Sequence, residues 1–142
     1  MRRPVALRSA IVLGVVTAVL CGCVLHGKGH VIQFARLEPA DRIVVRTRFG
    51  DVIKTIEDKA QIDAAVQFIR QYETGWRDPI KGPRVPRFML DFLVRGRRIG
   101  SYGIGVGYVV SDPTTDGFWS RDVPEADVKR LAGRLGLELN LP

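Results

Sequence analysis

Cysteine is almost missing from this chain of 142 residues: Cys21 and Cys23 are the only two, and residues 24–142 have none. A disulfide framework is therefore excluded for the bulk of the chain, which has to hold itself together by burying apolar surface. Histidine is as scarce. Only His26 and His30 occur, and Gly27 and Gly29 interrupt the helix that would set them side by side. Two ligands fall short of a closed zinc site. A Ser-His or Cys-His nucleophile pair would find no base beyond residue 30. Internal repeats and low-complexity segments are missing too, so the chain is no solenoid.

Long apolar runs are also few, and the longest lies near the start. Met1-Arg2-Arg3-Pro4-Val5-Ala6-Leu7-Arg8 is basic and free of acids, residues 9–20 are uncharged and mostly apolar, and Leu20-Cys21-Gly22-Cys23 follows. A charged start, a short apolar core and small residues before a cut is the order of a secretory signal. The run is short of the roughly 20 residues a transmembrane helix needs, and His26 and Lys28 close it. The Leu20-Cys21-Gly22-Cys23 ending resembles the lipobox of bacterial lipoproteins. That resemblance implies cleavage after Gly22, diacylglycerol on the Cys23 sulfur, and attachment to a membrane through that lipid. It also implies the cell envelope as the location. Val24 in place of a retaining aspartate implies the outer membrane, facing the periplasm, in a diderm cell, and the plasma membrane in a monoderm. The expected organisation is a signal peptide at 1–22, a tether at 23–40 and one domain at 41–142.

Charge of one sign is modest once the leader is removed. The whole chain carries +7, but Arg2, Arg3 and Arg8 lie in the leader, so residues 23–142 hold 19 basic against 15 acidic residues, a net of +4. So small an excess does not call for nucleic acid. The 120 residues from Cys23 onward are enough to bury roughly two-thirds of their unfolded surface, as an independent core requires.

Residues 24–40 have little periodicity and read as a tether, with a short strand at Val31-Ile32-Gln33-Phe34. Arg42 to Arg48 alternates as a strand. Ile43, Val45, Thr47 and Phe49 share one face, and Arg42, Val44, Arg46 and Arg48 the other. Gly50-Asp51 is a turn and Val52 to Ile56 a second strand, together a hairpin. Asp58 with Gln61 forms an N-cap pair. It opens a helix whose apolar face is Ile62, Ala65, Val66 and Ile69 and whose stop is Gly75. Residues 76–86 read as a long loop with three prolines.

Phe88 to Val94 is the strongest strand, with Phe88, Leu90, Phe92 and Val94 inward and Asp91 on the other face. Arg95-Gly96-Arg97-Arg98 is a turn, Ile99 to Ile104 returns, and Val106-Gly107 turns again into Tyr108-Val109-Val110. A polar loop leads to Phe118-Trp119-Ser120-Arg121. The last helix is entered through Asp122 as a cap or Pro124 at the first helical position, carries Val128, Leu131, Ala132 and Leu135 on its apolar face, and ends at Gly136. This order predicts an α+β domain of two layers: an antiparallel sheet of about five strands with two helices packed on one face. It is loosely similar, over residues 42–135, to small domains of other bacterial lipoproteins of unknown function, a resemblance that brings no catalytic role.

Candidate chemistry is thin. Asp112 and Asp116 flank a turn, yet the further oxygens of a calcium loop are missing. Gly100, Gly103, Gly105 and Gly107 lie within strands rather than between a strand and a helix start, so they mark close packing instead of a phosphate cradle. Asp91 reads as solvent-facing or paired with an arginine across the sheet. No catalytic residue, metal or cofactor is expected. The densest basic cluster is Arg95, Arg97 and Arg98, the candidate binding residues for an envelope protein or an anionic envelope polymer. The leading expectation is a lipid-anchored, non-enzymatic binding or accessory protein. The competing readings are an envelope hydrolase working through carboxylates such as Asp91 and Asp112, and an inhibitor of an exported enzyme that presents the 76–86 loop.

Overall fold

The computed structural model describes residues 36–77, 82, 84–111 and 119–139. Cys23, His26, His30, the expected strand at 31–34, Asp112 and Asp116 lie outside them. The elements are β1 (Arg42–Thr47), β2 (Val52–Ile56), α1 (Lys59–Gln71), β3 (Phe88–Val94), β4 (Arg97–Gly105), β5 (Tyr108–Ser111), β6 (Trp119–Asp122) and α2 (Glu125–Leu135). The strands form one antiparallel sheet in the order β2-β1-β3-β4-β5-β6. The sheet therefore has six strands rather than about five. The aromatic stretch after the polar loop is the sixth, short but paired with β5 from Tyr108↔Asp122 to Ser111↔Trp119.

Register sets the core. The pairs Ile43↔Phe92, Val45↔Leu90, Leu90↔Tyr102 and Ile104↔Val109 line up one face of the sheet. These residues belong to a single buried cluster with Ile62, Ala65, Val66 and Ile69 of α1 and Val128, Leu131 and Leu135 of α2. Each large apolar side chain so buried contributes about 1.5–3 kcal/mol. The cluster begins before Asp41: Leu37 is buried in it, and Glu38 pairs with Arg70 of α1.

Local chemistry explains most of the element ends. The Asp58 side chain accepts from Gln61 N at 2.9 Å and caps α1. Gly136 closes α2 in the left-handed conformation, φ 63°. Lys54 Nζ donates to Leu135 O at 2.7 Å, placing a cation on the negative end of α2. Neither expected start of α2 is used. Pro124 is itself the N-cap, without a side-chain bond, because Asp122 is the last residue of β6 and its carboxylate is taken by Arg84. Phe49 also departs from expectation. β1 stops at Thr47, whose Oγ1 accepts from Phe49 N and Asp51 N at 3.2 and 3.3 Å. The resulting curl turns Phe49 out to 77% exposure instead of inward.

Candidate functional site

The β3–β4 hairpin turns on Arg95 and Gly96, with φ of 49° and 78°. Positive φ at both central residues is the two-residue turn that suits strand twist, and it is why glycine stands at the second position. The turn is tied to the start of the sheet. Asp41 N donates to Leu93 O at 2.9 Å, and an Asp41 carboxylate oxygen accepts from Arg95 N at 2.7 Å. The entry to β1 is thus bonded to the candidate basic cluster.

The three arginines of that cluster are not equivalent. Arg95 is in the turn, while Arg97 and Arg98 already belong to β4, paired with Val94 and Leu93. All three are exposed. The Arg98 guanidinium, however, reaches back to within 3.9 Å of an Asp91 oxygen, so it serves the sheet as well as the surface.

Asp91 is only 4% exposed. One carboxylate oxygen accepts from Ser101 Oγ at 2.6 Å and the other from Arg46 Nε at 2.7 Å. Of the two expected environments for Asp91, the cross-sheet arginine is found and the open solvent is not. Alternation along β1 put Arg46 and Asp91 on the same kind of face. What the sequence withholds is that β1 lies beside β3 and that Ser101 sits directly opposite Asp91. With both oxygens engaged, this carboxylate is arranged to hold three strands together.

The glycines of β4 make room for neighbours. A Cβ at Gly103 would stand 2.6 Å from Pro86 Cβ, and one at Gly105 would run into the Tyr108 ring. Tyr108 lies over its cross-strand glycine, donates from its hydroxyl to Val85 O at 2.7 Å, and carries the Arg84 guanidinium 5.0 Å above its ring. Burial holds its hydroxyl pKa above the usual tyrosine value, with Arg84 pulling the other way. The other end of the 76–86 loop is held as well. Trp76 is buried and donates from Nε1 to Tyr72 O at 2.8 Å. Arg77 exchanges two 2.9 Å backbone bonds with Ser120. Both described ends of the loop are therefore fixed to the sheet, one at the β6 edge and one over Gly103 and Gly105. Residues 78–81 and 83 lie outside the described residues.

No family model, curated protein or solved structure matches the chain. Among the described residues no group of three His, Cys, Asp or Glu could hold a metal ion, and no helix is long and apolar enough to cross a membrane. Between the helices, Tyr72 OH donates to Asp127, which Arg130 also contacts at 2.9 Å, while Arg121 stands 4.8 Å over the Tyr72 ring. Burial first, and the Asp127 carboxylate second, push the Tyr72 hydroxyl pKa up to about 12. A neutral hydroxyl so placed bolts α1 to α2. Sequence spacing could not have paired residues so far apart on two helices.

Proposed function

We propose that the chain is a lipid-anchored cell-envelope protein, held to a membrane by lipid on Cys23, whose folded part binds a partner rather than catalysing a reaction. The observation that carries this reading is Leu20-Cys21-Gly22-Cys23 at the end of a basic-then-apolar leader. In the folded part, Asp91 is engaged on both oxygens, and the arginine-bearing turn is bonded to Asp41 at the entry to β1. The fold we infer has two layers, with α1 and α2 on the core face of the sheet.

The partner is an envelope protein or an anionic envelope polymer, met by Arg95, Arg97 and Arg98. Arg95 and Arg97 are the pair to test, because Arg98 also leans on Asp91. Arg95→Glu with Arg97→Glu leaves the thermal melt nearly unchanged and lowers recovery of the partner on native lipidated protein from membranes. Raising salt to 1 M, where the Debye length is about 3 Å, has the same effect on the parent. Recovery indifferent to both the substitutions and the salt would remove these arginines from the binding surface.

A further inference from the structure

The end of the sheet remote from Asp41 carries an apolar surface that the core does not use. Two turns and one entering segment meet there: the β1–β2 turn with Phe49, the β4–β5 turn with Val106, and the segment entering β3 with Val85. These side chains are 77%, 61% and 37% exposed, and Val52 at the start of β2 is 56% exposed. Phe49, Val85 and Val106 line one cleft of about 590 Å³ together with Pro86, Tyr108, Arg48 and Arg87. Its lining is mostly apolar, with Arg48 and Arg87 as its charged members.

The charge described at this end is net positive: Arg48 and Arg87 have no carboxylate partner among the described residues, Arg84 is paired with Asp122, and the one further acid, the exposed Asp51, is met by the Thr47 hydroxyl. The Arg48 guanidinium stands 4.5 Å over the Phe49 ring, so cation and aromatic ring are presented together. Exposed apolar residues grouped like this mark a contact surface.

We propose that this end docks on an anionic lipid surface, with Phe49, Val85 and Val106 entering the headgroup region and Arg48 and Arg87 pairing with lipid phosphates. A bilayer fits better than a peptide strand. The apolar groups sit on two turns and one separate segment and offer side chains, whereas strand addition draws on a continuous row of backbone donors and acceptors. A lipid surface asks only for apolar area and positive charge, and each arginine near it contributes about 1 kcal/mol.

The docking stands whether or not Cys23 carries lipid, and it is compatible with that anchor. β1 is about 20 Å long at roughly 3.4 Å per residue. The stretch from Cys23 to Arg36 reaches at most about 50 Å extended, so the chain can run from the membrane past the sheet to Asp41. In that pose Arg95 and Arg97 point away from the lipid, toward a partner.

The test uses the full chain with Phe49→Trp, whose site is exposed, mixed with vesicles of phosphatidylcholine alone or with one-third phosphatidylglycerol, each doped with brominated lipid. Parent chain, bearing Trp76 and Trp119, sets the background. Fluorescence of the variant is quenched by brominated lipid in the anionic vesicles and not in the neutral ones, and adding Arg48→Ser with Arg87→Ser removes most of that quenching even where the N-terminal anchor keeps the chain on the vesicle. Association of parent chain with the neutral vesicles reads the N-terminal anchor separately. A tryptophan at 49 that stays open to aqueous acrylamide in the anionic vesicles, or is quenched equally in both kinds, overturns the docking and leaves the anchor assignment untouched.

Discussion

Ser101 Oγ lies 2.6 Å from Asp91 Oδ1, across the paired strands β3 and β4, and both residues are buried on the face of the sheet opposite the apolar core. Arg46 closes the carboxylate from β1. The hydroxyl and guanidinium spend this carboxylate on structure: they satisfy a charge that would otherwise be costly to bury. Asp91→Ala strips Ser101 of its acceptor and costs about 1–3 kcal/mol. The cost stays below the 3–5 kcal/mol typical of a broken, fully buried ion pair, because Arg46 is half-exposed and turns to water. Ser101→Ala leaves the Arg46 bond in place and costs about 1 kcal/mol. Denaturant melts of both variants check the order, and an Asp91→Ala protein as stable as its parent would show that the network contributes nothing.

Leu90 is fully buried between Val45 and Tyr102, while Arg48 stands outside β1 beside Phe49. Leu90→Asp therefore unfolds the protein, since an unpaired buried charge costs several kcal/mol against a total of about 5–15 kcal/mol. Arg48→Ser shifts stability by about half a kcal/mol. Equal melts for the two would contradict the core described above.

Tyr72 ties stability to alkaline pH. Its hydroxyl pKa is raised from 10.0 to about 12 in the folded chain, so folding favours the protonated form. The corresponding stability is complete below pH 10, the unfolded value, and is lost as pH rises through 12. Tyr72→Phe removes this dependence. Parent stability should fall more steeply than that of Tyr72→Phe between those two pH values, in urea melts stepped through the range. Parallel curves would mean that burial and Asp127 together do not hold the hydroxyl protonated.

Much of the layout was legible in the sequence for identifiable reasons. Alternation marked β1 and β3, the Asp58–Gln61 spacing marked the start of α1, and Gly136 marked the end of α2. Each is a local signal, readable within one turn or strand. What stayed hidden depends on neighbours distant in the chain. Strand order decides that Asp91 meets Arg46, and a hydroxyl at Thr47 ends β1 one residue early enough to expel Phe49. The glycines of β4 were legible as packing positions, but the objects packed there, Pro86 and Tyr108, were not. The turn at Arg95-Gly96 was legible, whereas the place of Arg97 and Arg98 within β4 and the bond from Arg95 N to Asp41 required the fold.

The proposed lipid on Cys23 underlies the envelope assignment, and fatty-acid labelling of whole cells bears on it without further assumptions. Label is expected on the parent chain and on Cys21→Ser, and none on Cys23→Ser, which accumulates as unprocessed precursor. One acyl chain alone anchors marginally, at about 0.8 kcal/mol per buried CH₂, so the processed parent with its several chains should remain with the membrane through washing. Label that persists on Cys23→Ser, or a parent chain that takes none, would rule out lipid on Cys23.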